Sequence, residues 1–85
     1  MMYPTIHLNG TGKQMLLDGY LDARRAVTEA QDKLAAVEFN GRDYYPQGPN
    51  AFEAARVEHE DRLRRLKAIA DELLAIAMHI QDAEK

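Results

Sequence analysis

The chain has 85 residues, and 13 of its 39 apolar side chains are alanine, which leaves 26 larger ones to form a core. A domain this small rarely gains more than ~3–5 kcal/mol from one core; with no cysteine to add disulfides or thiolate metal sites, oligomerisation is the usual supplement, and a large enzyme fold is excluded. A net charge of -3 and the absence of tryptophan speak against binding duplex DNA or RNA and against a stacking platform for single strands.

Residues 1–11 read as a short extended lead. Met1 to Gly10 has no basic flank and no long apolar run, so it is not a signal peptide. Ile6 and Leu8 alternate with polar neighbours as in a strand. A lone strand must pair with a copy from another chain or lie along the rest of the molecule. Thr11-Gly12-Lys13-Gln14 has capping-box spacing, with Thr11 as N-cap, and opens a helix over residues 12–38. Within it Leu16, Tyr20, Ala23, Val27, Ala30, Leu34 and Val37 recur at steps of four and three. Asn40-Gly41 reads as the helix stop. Residues 39–50 form a loop, and Asn50, with Glu53 three residues on, opens a second helix over residues 51–82. There His59, Leu63, Leu66, Ala70, Leu73, Ala77 and Ile80 repeat the same spacing. A 3.5-residue repeat belongs to coiled-coil packing. The predicted fold is all-α, an antiparallel αα-hairpin in one domain, with helices ~40 Å long.

Centred on a loop near residue 45, such a hairpin sets Leu66–Ile80 against residues 10–24. Eleven of the fifteen residues from Leu66 to Ile80 are apolar, more than one partner helix covers. This predicts a subunit interface at the open end and a homo-oligomeric helical bundle, the alternative being that the lead folds back over that surface and leaves a monomer. The stretch is too short and too charged to span a bilayer, so a cytoplasmic protein is expected. The same pairing sets Arg24 and Arg25 level with Arg64 and Arg65, and with Arg62 and Lys67 nearby they form a cationic belt. Such a belt suits phosphates, or is a solvated face neutralised by Asp22, Glu29, Glu60 and Asp61 at helical spacing; the solvated face is the simpler account.

Several motifs fail on inspection. Asn9-Gly10-Thr11-Gly12-Lys13 lacks the spacing and hydroxyl residue of a phosphate-binding loop, although a helix start retains N–H groups for an anion. His59-Glu60 opens like a zinc-protease helix, but Leu63 stands where the second histidine belongs. No serine or cysteine is present, and no catalytic, metal or cofactor constellation emerges; the chain reads as a non-enzyme. His59 is unusual on an apolar seam, where a polar residue commonly fixes register.

The loop is longer than a helix–helix turn requires. Asn40, Arg42, Tyr44, Tyr45 and Gln47 combine amides, a guanidinium fork and two aromatic rings between prolines. Tyrosines can sandwich a flat ring, and arginine can stack on it or hold a phosphate. Equally, Tyr44 and Tyr45 can plug the loop end against Phe39, Phe52 and Val57. If hairpins associate antiparallel, the loop of one chain meets Asn9 and Thr11 at the helix start of another, forming a composite pocket. The candidate ligand-binding set is therefore Asn40, Arg42, Tyr44, Tyr45, Gln47, Asn9 and Thr11.

Ile6-His7-Leu8-Asn9-Gly10-Thr11 and Gly41-Arg42-Asp43-Tyr44-Tyr45-Pro46-Gln47-Gly48-Pro49 resemble segments of small helical proteins encoded by tailed phages and prophages, and the similarity extends through both helices. In size and helical build the chain also resembles phage counter-defence sponges, which sequester nucleotide immune signals. What the resemblance implies is a non-enzymatic binder of a cyclic oligonucleotide or ADP-ribose derivative in the infected host's cytoplasm. The alternative is a structural or protein-interaction module with no small-molecule ligand.

Overall fold

The computed structural model describes residues 1–38 and 40–83. Its elements are α1 (Lys13–Ala35), a single-turn α2 (Gly41–Tyr44), a 3-10 turn over Tyr45–Gln47, and α3 (Ala51–Asp82). No strand occurs among the described residues. The fold is all-helical, and most of its tertiary packing is between α1 and α3. The start of α1 lies beside the end of α3, where Lys13 Nζ donates to Ala83 O at 2.9 Å. A cation there complements the carbonyl end of the helix.

That contact alters the register expected from the loop. Lys13, not a residue of the lead, stands level with Ala83. Because α3 has 32 residues and α1 only 23, and the two are flush at this end, α3 overhangs α1 by roughly 13 Å at the other. Pro46 and Gly48 turn the connector back over the overhang. Gly48 adopts φ 117°, a conformation that favours glycine, and its N–H donates to Tyr45 O at 3.3 Å.

The helix boundaries follow different chemistry from the sequence expectation in two places. The N-cap of α1 is Gly12, and no side chain caps it. Thr11 stands one residue too early, and Gln14 turns forward to donate to Asp18 Oδ1 at 2.8 Å instead of reaching back. Asn40-Gly41 does not end the first helix, which stops at Ala35. Asn40 instead opens α2 with a complete capping box: its Oδ1 accepts from Arg42 N–H, and Asp43 Oδ2 accepts from Asn40 N–H. Asn50 occupies the N-cap of α3 without a side-chain bond.

The seam of α3 is the predicted one: His59, Leu63, Leu66, Ala70, Leu73, Ala77 and Ile80 are all buried or half-buried. On α1 the predicted Leu16, Tyr20, Val27 and Leu34 are half-buried, but Ala23, Ala30 and Val37 are exposed, and Leu17, Arg24 and Gln31 are half-buried instead. The long aliphatic stems of Arg24 and Gln31 fill space that alanine would leave empty. Among the described residues the buried core is correspondingly thin, being Ala70, Ile76, Ala77 and Ile80.

The lead lies along the open end. Tyr3 stacks on His79 with ring centroids 4.8 Å apart, and His79 Nε2 lies 3.2 Å from Pro4 O. At the following bend Gly10 N–H donates to His7 O at 3.1 Å, and the His7 ring lies over the glycine. The molecule is a rod of 60 × 20 × 17 Å with a radius of gyration of 18.7 Å. A compact chain of this length has about 12 Å.

Candidate functional site

The overhang of α3 creates the main concavity. Beyond the last turn of α1, the connector folds against the first turns of α3, and Tyr44 packs on Phe52 with ring centroids 6.2 Å apart and a 49° tilt. Ala51, Ala54 and Ala55 present small side chains to the space between, leaving a cleft of ≈ 460 Å³. Its polar wall is made by Tyr44, Gln47, Glu58, His59 and Arg62, and Val37 closes the side nearest α1. The volume lies within the usual range for small-molecule sites.

Helical spacing explains the convergence. Ala55, His59 and Arg62 stand four and three residues apart on α3, so they share one face. Arg62 donates to Glu58 Oε1 at 3.4 Å, a long and exposed pair that contributes little stability. An incoming anion therefore meets a guanidinium held only loosely by its carboxylate. The arrangement offers an aromatic face, an amide, an imidazole and a guanidinium around one space. Such a set suits a planar ring with polar edges and a negative charge.

The seven predicted site residues are divided between the two ends of the rod. Tyr44 and Gln47 line the cleft. Asn40 spends its side-chain oxygen on the α2 cap. Arg42 lies exposed on α2, and Tyr45 is 83% exposed on the 3-10 turn. Asn9 and Thr11 are at the opposite end; Thr11 lines a smaller hollow of ≈ 240 Å³ with Ile6, His7, Leu8 and Lys13. The loop residues and the α1 start therefore do not meet within one chain. Of the proposed plug, Tyr44 packs against Phe52, Val57 is 49% exposed, and Phe39 lies outside the described residues.

Glu58 was not singled out in sequence, and Arg62 was expected only as part of the cationic belt, because the two read as an ordinary i,i+4 surface pair. The cationic belt is neutralised over most of its length, Asp22 pairing with Arg25, Asp61 with both Arg64 and Arg65, and Asp71 with Lys67, while Arg24 keeps a buried Nε without a hydrogen-bond partner among the described residues. Near the cleft, Arg56 pairs with Glu53 and, at 2.6 Å, with Glu60. The hydrogen bond from Arg56 holds the Glu53 carboxyl below the usual glutamate range. Among the described residues no cluster of three or more His, Asp or Glu could hold a metal ion, and no helix is long and apolar enough to cross a membrane. No protein-family model, curated protein or solved structure matches the chain.

Proposed function

We propose that this chain is a phage-encoded, non-enzymatic binding protein that sequesters a nucleotide-derived immune signal, a cyclic oligonucleotide or an ADP-ribose derivative, in the host cytoplasm. The observation that supports this reading is the convergence of Tyr44, Gln47, His59 and Arg62 on one cleft. In it Tyr44 stacks on the base and Gln47 reads a polar edge. Arg62 exchanges the long contact to Glu58 for a phosphate, whose oxygens match the guanidinium fork. Arg42 and Tyr45 stand outside this cleft in the same connector. Antiparallel hairpins would bring Asn9 and Thr11 of a second copy toward it.

A thermal-shift screen against cyclic dinucleotides, cyclic trinucleotides and ADP-ribose derivatives tests the reading. A ligand at a hundred times its dissociation constant stabilises the folded state by ~2.7 kcal/mol. Tyr44→Ala and Arg62→Ala should each abolish the shift while leaving helicity intact, and the ligand should be recovered chemically unchanged after heating. Absence of any shift, or a shift that survives both substitutions, refutes the site. A second reading, a structural or protein-interaction module, is favoured by the apolar surface that the helix pair leaves uncovered, including Met15, Leu21 and Ile69.

A further inference from the structure

The cleft is one end of a longer feature. A second hollow of ≈ 290 Å³ shares Arg62 with it and is lined by Leu34, Arg65, Leu66 and Ile69. A third, of ≈ 400 Å³ toward the open end, lies between Leu73 of α3 and Met15, Leu16, Tyr20 and Ala23 of α1. The α3 residues in these three hollows, His59, Arg62, Leu66, Ile69 and Leu73, follow one another at steps of three and four, so they form a single helix face. One side of the helix pair is therefore a shallow groove. Three of its lining side chains are large, apolar and exposed: Val37 at 52%, Ile69 at 46% and Met15 at 73%.

Two further facts bear on what covers it. The chain exposes 6536 Å², whereas a compact monomer of this mass exposes roughly 5,100 Å², an excess of roughly 1,400 Å². A standard interface takes about 800 Å² from each partner, and obligate ones take more. The second fact is the phase of α1. Its Ala23 and Ala30 are exposed beside Arg24 and Gln31, which turn toward α3, and Val37, just past the end of the helix, is exposed as well. Each chain thus carries a groove whose α1 wall, with Leu16 and Ala23, is apolar and small enough to meet a copy of itself. That self-complementarity is what a two-fold interface requires.

We infer that the groove is a self-association surface occupied by α1 of a second copy, the two copies being related by a two-fold axis near the middle of α1. Four helices then share one core, and exposed Ala23 and Ala30 permit close approach of the two α1 helices. The antiparallel sense also matches charge. Arg62 and Arg65 flank the groove beside Leu34, and the second copy brings the start of its α1, with Asp18, to that level. The inference stands on groove and surface area and does not require the cleft to hold a ligand.

Light scattering on the size-fractionated protein should give twice the 9.6 kDa chain mass, or a multiple of that dimer. Ala23→Glu and Ala30→Glu should halve the mass, whereas Ala68→Glu, also exposed on α3 but turned away from the groove, should leave it unchanged. Because two of these variants can also lose helicity, single cysteines give an independent readout in this cysteine-free chain. Ala23→Cys should cross-link to a covalent dimer on mild oxidation, and Ala68→Cys should not. A folded wild-type chain that stays monomeric from micromolar to millimolar concentration overturns the inference and leaves the groove to a different protein. Equal cross-linking at both cysteines overturns it as well.

Discussion

Ile80 tests whether the thin core carries the stability of the helix pair. Among the described residues it is the one large side chain with 0% exposure, and it lies two residues from the end of α3. There Lys13 and the lead close over the open end. Ile80→Val removes one methylene at a cost of about 1 kcal/mol, and Ile80→Ala removes three carbons at ~2–5 kcal/mol including the cavity. Against a total of ~3–5 kcal/mol for a domain this size, the alanine variant should be largely unfolded. The valine variant should melt about 4–8 °C lower. Met78, two positions away on the same helix and 46% exposed, provides the comparison, since surface truncations typically fall within about 0.5 kcal/mol.

The assay is urea unfolding followed by circular dichroism, with all chains at one protein concentration so that self-association affects each comparison equally. Stability should fall in the order wild type, Met78→Ala, Ile80→Val, Ile80→Ala, with the first two nearly superimposed. An Ile80→Ala midpoint indistinguishable from wild type refutes the reasoning, because it would place the stabilising core elsewhere. A Met78→Ala loss as large as that of Ile80→Ala refutes it too, by showing that the exposed face of α3 is covered.

Arg24 offers a change of opposite sign. Its Nε is buried without a hydrogen-bond partner among the described residues, so Arg24→Met should raise the melting midpoint by about 1 kcal/mol equivalent, and a loss would show the guanidinium to be satisfied in solution. Glu53 predicts a pH dependence at the start of α3. Its folded pKa is lowered by the Arg56 hydrogen bond, so its contribution is complete above the ordinary glutamate range and is lost as pH falls through the lowered folded value. A carboxyl titration by NMR should show a midpoint below that of a free glutamate, returning to it in Arg56→Ala; an ordinary midpoint in the parent chain removes the pair.

The all-helical build and the α3 seam were legible because bulky apolar residues define that face without ambiguity, from Leu63 through Ile80. On α1 the pattern held at Leu16, Tyr20, Val27 and Leu34 and misled by one position at Ala23 and Ala30. Ala23 and Ala30 count as apolar, but they fill less space than the stems of Arg24 and Gln31, and packing against α3 selected the larger groups. The Asn40-Gly41 pair was ambiguous in a related way, since asparagine serves as helix stop or N-cap. What decides is Asp43, three residues on, which completes the capping box.

The site was legible in half. Tyr44 and Gln47 stand out in a loop too rich for a simple turn, whereas Glu58 and Arg62 look like any solvated i,i+4 pair. Their role depends on register, which local patterns do not encode. With Lys13 fixed to Ala83, the nine extra residues of α3 project only at the loop end, and α1 leaves Ala51 to Ala55 uncovered there. Had the two helices been flush at the loop, the same residues would have met α1, and Tyr44 would have had no cleft to line. The length difference between the helices, with the lysine contact that pins one end, is therefore what turns a surface ion pair into part of a concave site.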